Sequence, residues 1–488
     1  MDNVVDLGSF AAATENAFAL LPGDFYTKMP PEAVGVKPRL VHANAKAAAL
    51  IGLDPKSFND PVFTEIFTGH RPYPGGEPLA MVYSGHQFGA WAGQLGDGRA
   101  LLLAQVRNAA GELWDVQLKG SGKTPYSRFG DGRAVMRSSI REYLCSEAMA
   151  GLGISTTRAL AIIATNEQVH RETPEPGAVI TRLARSHIRF GHFEHFHHNG
   201  KHDLVRLLAD HVITGYMPEY KDDHAAWFGE VVSRTAHLIA AWQAAGFAHG
   251  VMNTDNMSIL GLTLDYGPFG FLDAYEPGLI CNHSDDTGRY AFDMQPAIAH
   301  WNLRALALAL SSLIPTDTLI KALDTYESIF RSRYRALMRA KLGMVEDRTR
   351  DDDKLIAELL TLMDRARADY TLTFRGLSDP GEGSLMTSWP LLFAAEHVAA
   401  VNWLARYRAR MESEGDRCPA MAAVNPKYVL RNWVAEVAIR AVEDQGDPGP
   451  LDRILRLLQS PYDPHPGFEA FAAPPAPEFG GLCVSCSS

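Results

Sequence analysis

The spacing of apolar positions changes character along this chain. Leu101-Leu102-Leu103-Ala104-Gln105-Val106, the turn Asn108-Ala109-Ala110-Gly111 and Leu113-Trp114-Asp115-Val116-Gln117-Leu118-Lys119 read as a β-hairpin. A glycine-rich segment precedes it. A helix is predicted over Arg133–Leu152, where Met136, Ile140, Tyr143, Leu144 and Ala148 recur at helical spacing and Gly153 lies beyond the end. Further strands are expected near Ala159–Ala164 and Val179–Leu183. Downstream, helical spacing governs Asp203–Thr214, Ala225–Gly246, Met294–Leu313, Thr316–Leu342, Asp352–Asp369, Leu391–Glu412 and Asn425–Asp444. Only Ile259–Tyr266 and Phe269–Asp273 interrupt it as short β-like pieces. Ahead of Pro78 the chain reads as short helices and loops, with one helical pattern at Val41–Leu53 closed by Gly52 and Asp54-Pro55. These patterns predict an α+β fold with a sheet-rich unit before a helix-rich one. Its expected divisions are an N-terminal extension over 1–80, a sheet-rich unit over 81–185, a helical unit over 186–375 and a helical C-terminal extension over 376–488.

Composition narrows the class of protein. The 488 residues are 46% hydrophobic, 21% charged and 9% aromatic, which suits a folded globular chain rather than a disordered or fibrous one. With 46 Lys+Arg against 57 Asp+Glu the net charge is −11, which argues against nucleic acid or an anionic membrane surface as the main partner. The longest apolar stretches, Leu303–Ile314 and Leu238–Phe247, fall short of the roughly 20 residues a membrane span needs. The first residues, Met1-Asp2-Asn3-Val4-Val5-Asp6, lack the basic and apolar regions of a secretory signal, so a cytoplasmic location is expected. Cys145, Cys281 and Cys418 are scattered, whereas Cys483-Val484-Ser485-Cys486 is a C-x-x-C close to the C-terminus, readable as a redox pair, half a metal site or a plain tail.

Several segments could carry chemistry. Gly93-Gln94-Leu95-Gly96-Asp97-Gly98-Arg99 precedes a strand and can form a turn whose backbone approaches phosphate oxygens, although a hairpin also wants glycines for steric reasons. Lys119 ends a strand, and Glu142 lies within about 20° of Val135 and Met149 on its helix, an apolar face where a carboxylate needs a cation. A strand lysine paired with a helix glutamate is how kinase-like folds hold nucleotide phosphates. Gly120-Ser121-Gly122-Lys123-Thr124 ends like a P-loop but has Gln117 where that motif requires glycine, and Pro125 follows at once. Arg182, Arg185, His187 and Arg189 form a local basic segment that could face phosphate. The six histidines from His187 to His202 raise zinc, yet no i,i+4 pair carries the glutamate of H-E-x-x-H. The sharpest constellation is His249-Gly250-Val251-Met252-Asn253-Thr254-Asp255-Asn256 followed by Leu264-Asp265-Tyr266-Gly267, whose oxygen donors suit a divalent cation. Against H-R-D-x-x-x-x-N, Asn256 falls on the metal-binding asparagine, Val251 replaces the usual base, and Asp255 is the nearest carboxylate able to take over.

Taken together, Tyr83-Ser84-Gly85-His86-Gln87-Phe88-Gly89, Gln94 to Ala100, Gln117 to Arg128, Asp131-Gly132-Arg133-Ala134, His249 to Asn256, Leu264 to Gly267, Asn425-Pro426 and the Cys483–Cys486 tail resemble the selenoprotein O family of kinase-like protein adenylyltransferases. The likeness spans nearly the whole chain. It implies a protein-kinase-like bilobal fold, with an antiparallel-sheet N-lobe and a helical C-lobe, and a nucleotide flipped so that its α-phosphate meets a protein hydroxyl. AMP from ATP would then pass to Ser, Thr or Tyr of a target protein, with UMP from UTP as a variant of the same transfer. By resemblance Gly96, Gly98, Arg99, Lys119, Asp131, Gly132, Arg182 and Arg189 hold ATP, Glu142 fixes Lys119, Asn256 and Asp265 bind Mg²⁺ or Mn²⁺, and Asp255 is the base. Cys483 and Cys486 would give the tail a redox role. The residues alone leave open a γ-phosphoryl-transferring kinase, a non-catalytic nucleotide-binding pseudokinase scaffold, and a thiol–disulfide module.

Overall fold

A computed structural model describes Leu7, residues 13–379 and 385–476, and Phe479. Cys483 and Cys486 lie outside the described residues. The strands are β1 (Tyr26–Lys28), β2 (Arg39–Ala43), β3 (Leu79–Met81), β4 (Ser84–Gln87), β5 (Ala90–Gln94), β6 (Ala100–Arg107), β7 (Leu113–Lys119), β8 (Ala134–Val135), β9 (Arg158–His170), β10 (Pro174–Ala184), β11 (Phe247–Ala248) and β12 (Gly270–Phe271). Eight of them form one antiparallel sheet in the order β1-β3-β6-β7-β10-β9-β2, with β8 on β10, while β4–β5 and β11–β12 are separate pairs. The sheet thus takes β1 and β2 from the first 80 residues and its remaining strands from 79–184.

The β6–β7 hairpin forms where its alternation placed it. Asn108 closes the turn, its Oδ1 accepting from Ala110 N at 3.0 Å and Glu112 N at 2.9 Å, and Gly111 takes φ +78°. Val116 and Leu118 pack on one side with Phe63, Phe67, Leu101 and Leu103, in a core that includes helices α1 (Ala45–Leu50) and α2 (Pro61–Phe67). The period of two then sends Asp115, Gln117 and Lys119 to the opposite face. On that side α3 (Met136–Gly151) lays Met136, Ile140, Tyr143 and Leu144 against Leu102, Ile162 and Ile180. Both faces are covered, so β6 reads as a nearly continuous apolar run.

Helices dominate the remainder: α4 (Phe190–His198), α5 (His202–Tyr216), α6 (His224–Ala245) and α7 (Gln295–Ala309) precede further helices from Thr316 onward. Asp223 caps α6 through Ala226 N at 2.9 Å and Gly246 ends it at φ +69°. The helices between Tyr326 and Ala422 enclose a core of their own around Leu359, Met363, Trp389 and Trp403, whereas Asn432–Gln445 and Gly449–Gln459 pack into the same core as α3. No helix among the described residues is long and apolar enough to cross a membrane.

Four expectations differ from the structure for physical reasons. Val41–Leu53 is not one helix: β2 takes its start by pairing with β9, and Asn44 then caps α1 by accepting from Lys46 N and Ala47 N at 3.1 and 3.3 Å. Thr316–Leu342 divides into Thr316–Asp324 and Tyr326–Lys341. Leu391–Glu412 opens as 3₁₀ turns over Trp389–Glu396 with Ala394 at φ +42°, and the α-helix begins only at His397. Ile259–Tyr266 forms a single bridge, Thr156 with Thr263, instead of a strand.

Lys341 is buried without an ion pair among the described residues, its Nζ 4.5 Å from the Phe374 ring centroid and 5.5 Å from that of Tyr370. Burial pushes its ammonium down to about 7 from the ordinary 10.5. Between those values the unfolded chain holds more protons than the folded one, so stability rises with pH across that window. Urea midpoints at pH 7 and pH 9 should show this rise in the native protein and lose most of it in Lys341→Met.

Candidate active site

Register decides which side chains meet. Arg182 on β10 stands opposite Gln117 on β7, and its Nη2 donates to Gln117 Oε1. Its Nη1 reaches Glu142 Oε1 on α3 at 3.0 Å and Asp265 Oδ1 at 2.6 Å. Lys119, two residues along the same face of β7, donates to Glu142 Oε2 at 2.5 Å. Arg189 leads into α4, gives Nη1 to Asp265 Oδ2 and to the backbone oxygen of Asp255 at 2.6 Å, and lies over the Tyr83 ring at 4.9 Å. Lys119, Glu142, Arg182, Asp265 and Arg189 therefore form one connected, largely buried charge network. Burial opposes ionisation of Asp265, but Arg189 and Arg182 outweigh it and hold its carboxyl well below the usual range. Burial likewise opposes the charge on Glu142, and Lys119 with Arg182 reverses the sign.

The loop carrying Asp255 is held from several sides. His249 stacks on Trp242 with centroids 5.1 Å apart, bonds Leu264 O through Nε2 at 2.9 Å, and donates its backbone N–H to Gln295 Oε1 at 2.9 Å. Asn302 Nδ2 holds Met252 O at 2.9 Å, and Tyr290 OH donates to Asn253 Oδ1 at 2.6 Å. Asn256 Nδ2 turns back to Val251 O at 3.0 Å, which leaves its Oδ1 without a hydrogen bond among the described residues. Asp255 is buried; its Oδ2 accepts from Gln87 Nε2 at 3.3 Å while its Oδ1 has no partner among the described residues. Burial raises its carboxyl to about 6, against the opposing pull of Arg189.

The glycines have steric roles. Gly96 lies at φ +145°, and a Cβ there would sit 2.5 Å from the Tyr126 ring; at Gly98 it would meet Tyr126 O at 3.0 Å. Thr124 Oγ1 donates to Asp97 O at 2.7 Å, so the Gly120–Tyr126 segment covers the glycine turn as a second loop. At Gly132, φ +74°, a Cβ would fall 2.2 Å from the Gly122 backbone, so only glycine lets the two segments lie together. Arg99 makes no side-chain hydrogen bond among the described residues, and burial lowers its guanidinium despite the field of Glu142. Asp131 stands apart from the network, paired with Arg171 at 2.7 Å, its side chain 43% exposed.

The β4–β5 hairpin, which carries most of the Tyr83–Gly89 motif, also shapes the site although its sequence points to no role there. His86 N donates to Thr254 Oγ1 at 2.7 Å, Phe88 N to Asn253 Oδ1 at 3.2 Å, and Ser84 Oγ meets His195 Nδ1 at 2.9 Å. A Cβ on Gly85 would lie 2.8 Å from Asp255 Oδ1, and one on Gly191 2.1 Å from Ser84 O. The signal was the glycine ahead of His86, which allows this close approach. In the sequence the α4 segment stands out for its histidines, which raise zinc, while its buried Phe190, Phe193 and Phe196 carry the helical spacing.

Within the ion network and on the Asp255 loop, Asp255 Oδ1, Arg182 Nε and Arg189 Nε are buried without hydrogen-bond partners among the described residues. Two donors and one acceptor left open beside a connected ion network are what a bound anion and a hydroxyl would complete.

The family model described as "Protein adenylyltransferase SelO" matches residues 9–459. Proteins called "Protein nucleotidyltransferase YdiU" align over almost the full length. That of Bordetella avium is 52% identical over 98% of this chain and 99% of its own. That of Myxococcus xanthus is 51% identical over 97% and 98%, and that of Vibrio vulnificus 49% identical over 96% and 98%.

Gly85→Ala should leave the melting temperature within a few degrees of the native value, because Asp255 and Thr254 can shift, while displacing Asp255 and lowering turnover by at least about tenfold, one decade per 1.4 kcal/mol. Circular dichroism alongside a transfer assay checks both halves.

Proposed function

Because this chain belongs to the SelO family of protein adenylyltransferases and is an enzyme of the nucleotidyltransferase class, we propose that the network between β7, β10, α3 and the Asp255 loop transfers AMP from ATP to a Ser, Thr or Tyr hydroxyl of a target protein. The observation that carries this reading is the set of open buried atoms, Arg182 Nε, Arg189 Nε and Asp255 Oδ1, around the Lys119–Glu142–Arg182–Asp265–Arg189 network.

The substrate oxygen forms a bond to the α-phosphorus, the bond from that phosphorus to the bridging oxygen breaks, and pyrophosphate leaves. Lys119, Arg182 and Arg189 neutralise the charge that spreads over the phosphoryl oxygens, and they are already fixed by Glu142 and Asp265, so little reorganisation is needed at the moment of reaction. Asp255 Oδ1 accepts the hydroxyl proton; with its carboxyl at about 6 it is ionised at neutral pH. Arg99 and the Gly96 to Gly98 turn approach the remaining phosphates, and Gly132 lets the Gly122 loop close over them, with Asp131 at the rim. Asn256 Oδ1, open among the described residues, and Asp265, whose oxygens would be shared with Arg182 and Arg189, are the oxygen donors that would hold a hard divalent cation, Mg²⁺ or Mn²⁺, which when bound would supply further neutralisation of phosphate charge. The strand lysine, helix glutamate and the two loop motifs support a kinase-like bilobal arrangement, and the family resemblance supports a nucleotide that lies flipped within it. UTP, presenting the same α-phosphate, is a second donor on this reading.

ATP labelled on the α-phosphate should transfer its label to protein with the mass of AMP, and ATP labelled on the γ-phosphate should not. Transfer of the γ-label would instead establish a kinase. Asp255→Asn should lower transfer about 10²–10⁴-fold, the range of a general base, while calorimetry finds Mg·ATP affinity nearly unchanged. An equal loss of binding would make Asp255 a ligand.

A further inference from the structure

Away from the phosphate-binding network, β4 and α4 bring three metal-ligating side chains together. His86, Glu194 and His198 offer ligand atoms that all lie within 4.8 Å of one another. Glu194 and His198 are four residues apart on α4 and so share one face of it. The Glu194 side chain is only 1% exposed, and its Oε1 meets His86 Nδ1 at 2.6 Å. Its second oxygen, Oε2, is buried with no hydrogen-bond partner among the described residues. A buried carboxylate with an unfilled oxygen is costly unless a cation completes it. Trp91 and Trp301 wall the cluster, with ring centroids 5.2 and 5.3 Å from His86, and Trp91 lies 4.0 Å from His198. His198 is exposed and leaves an entry path from solvent.

We propose that His86, Glu194 and His198 form a Zn²⁺ site distinct from the Asn256 and Asp265 pair. Two imidazoles and one carboxylate are the donors of three-ligand zinc centres, with water in the fourth position, whereas Mg²⁺ takes oxygen ligands. Bonds of about 2.0–2.1 Å place tetrahedral ligand atoms roughly 3.3 Å apart. The close His86–Glu194 pair therefore opens slightly, and the solvent-facing His198 swings in. Bound zinc would tie the hairpin to α4, and through His86 N on Thr254 and Gln87 Nε2 on Asp255 it would brace the loop that carries Asp255. The inference stands apart from the transfer chemistry, since it rests on the cluster alone.

The test uses untagged full-length protein stripped with a chelator and titrated with Co²⁺ as a spectroscopic probe, then with Zn²⁺ in competition. Native protein and Asp265→Asn should each bind one equivalent that excess Mg²⁺ does not displace, with the visible bands of low-coordinate Co²⁺. His198→Ala, at an exposed position, should keep the metal-free melting temperature and lose more than about 100-fold in affinity, beyond what outer-shell partners cost. Glu194→Gln should lose it as well, and His197→Ala should retain it. Unchanged affinity in His198→Ala, or no tightly held equivalent in the native protein, would overturn the proposal.

Discussion

The carboxylate of Asp265 holds two guanidinium groups at once. Arg182 on the sheet and Arg189 at the start of α4 each engage one of its oxygens, and the residue itself sits at φ +60°, a backbone conformation that costs energy for a non-glycine side chain. Arg182 continues the chain of contacts to Glu142 and thence to Lys119. Removing one member would strand its neighbours as unpaired buried charges, a loss of about 3–5 kcal/mol where a buried pair is broken. The sheet and the helical part of the chain therefore meet through charge as well as through apolar packing.

That junction explains why the surrounding architecture is so constrained. The register of β7 against β10 puts Gln117 beside Arg182, α3 brings Glu142 under the sheet, and the stacked His249 fixes the loop that leads to Asp255. The β4–β5 hairpin closes the other side, close enough that a Cβ at position 85 would push the Asp255 side chain aside. Asp255 is thereby buried with one oxygen open among the described residues, a costly placement for a carboxylate and one that the proposed role as base would use.

Local pattern made part of this legible. The β6–β7 hairpin and α3 follow from alternation and helical spacing, and the angular position of Glu142 on an apolar face already required a cation, which Lys119 and Arg182 supply. The order of short motifs identified the family, whose model covers residues 9–459. Long-range pairing was not legible. Nothing near Arg39 to Ala43 announces that β9, more than a hundred residues on, will draw that segment out of a helical pattern. The same holds for Arg182 and Arg189, whose sequence shows a local basic segment but not the carboxylate of Asp265 against which the sheet buries them. The role of the β4–β5 hairpin was hidden for the same reason, since its partners Thr254 and Asp255 lie about 170 residues away.

The central claim is that the ion network acts as one unit in holding nucleotide. It is tested most directly by a double-mutant cycle on ATP affinity with Glu142→Gln, Asp265→Asn and the pair, each checked for folding by its melting curve. A connected network predicts strong non-additivity, with a coupling energy of about 0.5–3 kcal/mol between these two carboxylates that share Arg182. Effects that add within about 0.3–0.5 kcal/mol would mean that the two carboxylates act independently, and the account of the site as a single preorganised charge cluster would be wrong.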